Sequence, residues 1–146
     1  MQLTKHTDYA FRVLMVLAAK PASHNVTISQ IAERFDISHN HLMKVVQKLV
    51  QQGWVKSTRG AKGGLSLGCD AHSINLLAVV EAMEPTLTPI NCHQPECILA
   101  NQCRLQTILD QAQQQFSQHL ARFSLADVLS PTSRDLLFAH RLPPGA

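Results

Sequence analysis

The stretch Pro89–Cys103 sets the hardest limit on what this chain can fold into. It reads Pro-Ile-Asn-Cys-His-Gln-Pro-Glu-Cys-Ile-Leu-Ala-Asn-Gln-Cys and holds three of the four cysteines within fifteen residues. Proline removes a backbone donor and clashes with the preceding turn, so Pro89 and Pro95 exclude one continuous helix here. Helical patterns stand on both sides. A thiol-rich irregular loop between two helices suits a soft-metal or iron–sulfur site, because thiolates favour such centres and a loop can converge on one point.

The spacing, Cys92-x4-Cys97-x5-Cys103, narrows the choice without closing it. Structural zinc prefers tighter pairs and four protein ligands. A cube-shaped iron–sulfur cluster is wider than one ion, so wide gaps suit it. Iron–sulfur, zinc and redox-active thiols all stay open at this point, with His93 or a distant carboxylate as a fourth donor. No secretory signal pattern opens the chain: Met1–Asp8 is polar and Arg12 interrupts the apolar run behind it. No stretch is apolar enough to span a bilayer. A cytoplasmic protein with reduced thiols is therefore expected, in which clustered cysteines bind metal rather than pair.

The segments before the loop follow a recognisable order. Thr7–Ala19 has helical spacing in Ala10, Val13, Leu14 and Leu17, and Pro21 ends it. Asp8, in its first turn, suits the helix dipole. Thr27–Phe35 opens on a capping-box pair, Thr27 and Gln30. Asp36-Ile37 makes a tight turn, and a third helix starts at Ser38 with Leu42, Val45, Val46, Leu49 and Val50 facing inward. Two short helices and a turn form a helix-turn-helix pattern. The outward residues Ser38, His39, Asn40, His41, Lys44 and Lys48 have the chemistry to meet bases and phosphates.

Gly53 stops that helix, and Trp54–Thr58 and Leu65–Leu67 read as two strands around Arg59-Gly60-Ala61-Lys62-Gly63-Gly64. A helix-turn-helix followed by a basic, glycine-rich hairpin is a winged helix, with Arg59 or Lys62 placed to enter a minor groove. A phosphate cradle for a nucleotide does not fit, because no P-loop or Gly-x-Gly-x-x-Gly pattern is present. Charge agrees. Between Ser38 and Gly64 stand Lys44, Lys48, Lys56, Arg59 and Lys62 with no acidic residue, against eight basic and ten acidic residues elsewhere. One basic block on a near-neutral background marks a double-stranded DNA face.

Cys69 follows the wing and is expected to be an inert small hydrophobe. Leu76–Met83 forms another helix capped by Asn75. Beyond Cys103, Leu105, Ile108, Leu109, Ala112, Phe116, Leu120 and Phe123 trace one helical stripe over about five turns. Too long to bury in so small a fold, it is expected to pack on its symmetry mate in a homodimer. Ser124–Leu129 makes a capped turn that Pro131 breaks. Arg134–His140 adds a last helical turn or two, and the terminal Leu-Pro-Pro-Gly-Ala is expected to fray. The fold class is mainly α with a small β-hairpin wing, a winged helix-turn-helix plus a long dimerisation helix. The expected divisions are a DNA-binding domain over 1–84, a cluster-binding loop over 85–103, a dimerisation helix region over 104–129 and a tail over 130–146. No nucleophile–base pair, paired carboxylates or cofactor loop points to an enzyme.

Four motifs in order carry a resemblance: Met1-Gln-Leu-Thr-x-x-Thr-Asp-Tyr-Ala10, Ile28-Ser-Gln-Ile-Ala32, Arg59-Gly-x-x-Gly-Gly-Leu-x-Leu67, and the cysteine loop. From Met1 to Leu129 the chain resembles the iron–sulfur winged-helix regulators that include NsrR and IscR, and the nitric-oxide-sensing NsrR-like members most closely. The resemblance implies a homodimeric repressor whose long helices cross and whose recognition helices and wings share a partly palindromic operator. It implies a 4Fe–4S cluster on Cys92, Cys97 and Cys103, with Asp8 of the other subunit as fourth ligand and Arg12 near the cluster, offsetting its negative charge. It also implies release of DNA when nitric oxide attacks that cluster. IscR-like 2Fe–2S members have wider gaps and a histidine soon after the third cysteine. Arg104-Leu105-Gln106 contains none, so a 2Fe–2S, zinc or redox-thiol site sensing iron or oxidants is the alternative.

Overall fold

The computed structural model describes residues 2–139. Its helices are α1 (Lys5–Ala19), α2 (Ile28–Phe35), α3 (His39–Gln51), α4 (Leu76–Met83), α5 (Arg104–Leu120) and α6 (Pro131–Ala139). One antiparallel hairpin joins β1 (Val55–Thr58) to β2 (Gly64–Leu67), with Val55 opposite Leu67 and Thr58 opposite Gly64. Among the described residues, no helix is long and apolar enough to cross a membrane.

The first helix is the axis of the core. Its apolar face of Ala10, Val13, Leu14, Val16 and Leu17 is buried against α3, α4, β2 and α6. Full burial of each large aliphatic side chain contributes about 1.5–3 kcal/mol, so this face, with Leu42, Val45 and Leu49 of α3, holds the helix-turn-helix together. Local signals fix the ends. The Thr27–Gln30 capping box closes as expected, with reciprocal bonds of 3.3 and 2.9 Å. Asp36 then takes a left-handed conformation and turns the chain into α3, a geometry Asp tolerates better than most residues. Gly53, at φ +76°, ends α3 in the same way.

Several boundaries depart from the sequence expectation. The first helix starts at Lys5, not Thr7, because Thr4 and not the dipole partner Asp8 is its cap. Val50 is 39% exposed rather than inward, since α3 turns that position past the edge of α1. The stripe of α5 stops at Leu120; Phe123 lies beyond it, where its carbonyl accepts from the Leu76 amide. Pro131 starts α6 instead of only ending a turn, as proline does at a first helical position. An isolated bridge between Val26 and Leu65, which no periodicity announced, ties the hairpin to the segment before α2. The expectations for His140 and the fraying end concern positions outside the described residues.

Candidate metal centre and nucleic-acid interface

The basic face is built by α3 and the hairpin. Ser38 caps α3, and His39, Asn40, His41 and Lys44 are exposed along one side, with Lys48 half-exposed a turn later. The apolar side holds Leu42, Val45, Val46 and Leu49 in the core, which leaves the polar side facing away from it. At the wing tip, Arg59 and Lys62 are exposed. The Asn25 amide donates to the carbonyls of Lys62 at 2.7 Å and Gly63 at 2.9 Å, fastening the tip to the segment before α2. Gly63 has no alternative there: a Cβ would stand 2.4 Å from the Thr58 carbonyl oxygen.

The cysteine loop folds back on itself. The Cys97 amide donates to the Cys92 carbonyl at 2.9 Å, around a turn that contains a cis Gln94–Pro95 bond, and His93 bridges Glu96. Cys92 is 8% exposed, Cys103 half-buried and Cys97 exposed. Burial first, then the nearby charges of Cys97, Cys103 and Asp110, push the Cys92 thiol above its usual range. Three thiols thus stand on one loop that the Cys97–Cys92 backbone bond closes. That is the donor chemistry of a thiolate-bound metal group. Among the described residues, no three His, Cys, Asp or Glu side chains converge tightly enough to hold a single ion.

Asp8 does not join that loop within the chain. It is exposed on α1 and held by Arg12 one turn on, with Nε–Oδ1 at 3.0 Å and Nη2–Oδ2 at 2.9 Å. The Arg12 guanidinium also lies 5.3 Å from the centre of the Phe35 ring. The pair therefore presents an oriented carboxylate on the outer surface. His93 is exposed, its amide bonded to Asn91 Oδ1 at 3.0 Å. Cys69 is exposed beside the end of β2 rather than packed as a small hydrophobe, because the turn at Gly68 carries it off the core.

The family model for Rrf2, described as iron-dependent transcriptional regulator, matches residues 3–131. The chain belongs to the Rrf2 family. Rrf2 proteins are DNA-binding transcriptional regulators, not enzymes, and are dimeric. Similar solved structures include CymR, the global cysteine regulator of B. subtilis, at 22% identity over 88% of this chain and 95% of that one, with a TM-score of 0.73. The oxidized form of Staphylococcus aureus CymR matches at 22% identity over 89% and 99%, TM-score 0.71. IscR of T. potens matches at 20% identity over 100% and 93%, TM-score 0.67. At such identities the likeness establishes the winged-helix fold.

Two residues of this Rrf2 chain escaped the sequence reading. Asp110 of α5 joins the cysteine loop electrostatically, although the helix pattern marks it only as a polar position. Glu84 closes α4 and accepts from the Thr4 amide at 2.8 Å, the Thr4 hydroxyl at 3.0 Å and the Thr7 hydroxyl. Thr7 is the one fully buried polar side chain among the described residues. Burial pushes the Glu84 carboxyl up, but the bonds from Thr7 and Thr4, with the charge of His6, outweigh it and hold it below the carboxylate range. The only signal was a pair of threonines flanking a helix start.

Proposed function

We propose that this chain is an NsrR-like repressor: a cytoplasmic homodimer that holds a 4Fe–4S cluster and releases operator DNA when nitric oxide reaches it. Cys92, Cys97 and Cys103 would hold the cluster, and the partner subunit's Asp8 would complete it. The observation that carries this reading is the closed cysteine loop itself, with Cys92 buried, Cys103 half-buried and Cys97 exposed around the Cys97–Cys92 backbone bond. When bound, the cluster supplies iron that nitric oxide attacks. The chain's own part is mechanical. With its thiolates no longer held together, the loop between α4 and α5 loses the tie between its ends. Asp8, no longer engaged, returns to Arg12 alone. Two distinct sites, cluster loop and DNA face, then bias one dimer geometry, which is what coupling requires.

Dimerisation through α5 is supported by its burial: no residue of this helix is buried within the chain, and Leu105 and Ile108 are 59% and 51% exposed. The DNA face is supported by the basic, acid-free stretch over α3 and the wing. Residues Ser38, His39, Asn40, His41, Lys44, Lys48, Arg59 and Lys62 would carry it, the helix in a major groove and the wing tip in the adjoining minor groove.

Anaerobic purification tests the reading directly. The protein is expected to show the broad visible absorption of a thiolate-ligated iron–sulfur centre, with matching iron and sulfide. Titration with nitric oxide is expected to bleach it and to abolish a gel shift on operator DNA. A colourless zinc protein, or operator affinity unchanged by nitric oxide, sinks the reading. The spectrum of a 2Fe–2S centre or reversible thiol oxidation would turn it to the iron- or oxidant-sensing alternative.

A further inference from the structure

The residue that follows α4, Glu84, and the first turn of α1 make a joint that neither the cluster nor the DNA face requires. Thr4 caps α1 by position, yet its side chain makes no capping bond within the helix. The cap is supplied from outside. Glu84 takes the Thr4 amide and hydroxyl and the buried Thr7 hydroxyl on one carboxylate oxygen. Pro85 follows it and opens the segment that runs to Cys92. An anion at a helix N-terminus bonded to backbone and side-chain donors is held far more firmly than an exposed ion pair. So the root of the cysteine loop is anchored to α1, and α1 packs directly on the recognition helix α3.

The charges around the joint run the same way. His6, half-buried beside it on α1, feels burial, then the charge of Lys48, then the opposing charge of Glu84, then Lys44. Glu84 and the two recognition-helix lysines thus act on one ring. The packing of α1 on α3 sets the joint one helix away from those lysines.

We propose that Glu84 is a positioning residue: by capping α1 from the end of α4, it fixes the height of recognition helix α3 relative to the root of the cysteine loop. It touches neither DNA nor metal. This rests on the reading of α3 as the DNA-contacting helix. Removing Glu84 frees Thr4 and Thr7, lets the first turn of α1 unwind, and allows α3 to shift against the wing.

Glu84→Gln separates this role from simple electrostatics, because the two predict opposite signs. Removing a carboxylate beneath a basic DNA face would by charge alone leave affinity unchanged or raise it. Positioning predicts that full-length Glu84→Gln binds a duplex selected by the wild-type protein from a random pool about fivefold more weakly or worse, the lower end of ordinary site-to-site coupling. Affinity for random duplex stays as in wild type, and amide exchange quickens through residues 5–8 and along α3. Thr7→Val, which keeps the carboxylate but removes the buried donor, is expected to do the same, and it decides the matter if Glu84→Gln does not fold. Selected-duplex affinity equal to or tighter than wild type in the folded variant overturns the proposal. Lys44→Ala with Lys48→Ala is run beside them. If those leave DNA binding intact, it is the assignment of α3 that fails, and that failure is distinguishable from one confined to Glu84.

Discussion

Glu84 makes folding stability depend on acidity in a way its sequence position does not announce. Its carboxyl is held below the ordinary value of 4.5, so it contributes stability that is fully present above that value. The contribution is lost as pH falls through the depressed folded-state value. Glu84→Gln should lower stability near neutrality by about 1–2 kcal/mol, the low part of the range for bonds to charge because the group is half exposed. The difference from wild type should shrink as pH falls through the depressed folded-state value of Glu84, below which both side chains are neutral. Urea midpoints of both proteins across that window check the sign, and a constant gap would show the bonds to be charge-independent. Asp8 offers a second residue-scale outcome. Asp8→Ala should leave the thiolate-ligated centre able to assemble but quicken its loss to a chelator, since three ligands stay and one is removed. A loss rate equal to wild type would exclude Asp8 as a ligand and leave it as the partner of Arg12.

At the scale of elements, the helix-turn-helix and the hairpin were legible because each signal was local. The Thr27–Gln30 box, the αL turn at Asp36, the stop at Gly53 and the period of Leu42, Val45 and Leu49 all act within a few residues. What escaped was tertiary. The cap on α1 comes from Glu84, the Asn25 bonds to the wing tip span 37 and 38 positions, and the exposure of Val50 depends on where α3 meets α1. The three cysteines could be named from spacing. Their unequal burial could not, because it is set by the folded path of the loop and not by the spacing. Two changes test the DNA-facing elements. Lys44→Ala and Lys48→Ala should each weaken binding across sequences and reduce the slope of log affinity against log salt by about one. Gly63→Ala should disturb the wing selectively, since its Cβ would meet the carbonyl oxygens of Thr58 at 2.4 Å and Gly60 at 2.8 Å. Its thermal midpoint should move little while selected-duplex affinity falls, a split that calorimetry and gel shift together would reveal.

For the whole molecule, the decisive surface is the outward stripe of α5 and the loop before it. Ile98 is fully exposed and Leu99, Leu105 and Ile108 are more than half exposed. Further along, Phe116 and Leu120 turn inward and line an apolar cavity of about 220 Å³ with Leu3, Phe11, Met15, Leu76, Val80 and Val128. The helix is thus seated on its own chain at its C-terminal half and free at the half next to the cysteines. Leu105→Glu with Ile108→Glu should convert the protein to a monomer by sedimentation while α-helical content persists. A dimer that survives both substitutions would move the interface elsewhere.

The short bridge between Val26 and Leu65 has a consequence for the grammar of the DNA site. It joins the hairpin to the entry of α2, so under the proposed DNA reading the wing tip and α3 share one backbone framework. Their offset cannot be retuned by a hinge. One extra base pair displaces a contact by about 3.4 Å along the duplex and rotates it as well. An insertion inside a half-site should therefore break recognition outright. The same insertion between half-sites is a matter for the dimer axis and should only grade it. Binding to duplexes with single insertions walked across the site would reveal whether the sites are words of fixed spelling separated by an adjustable pause.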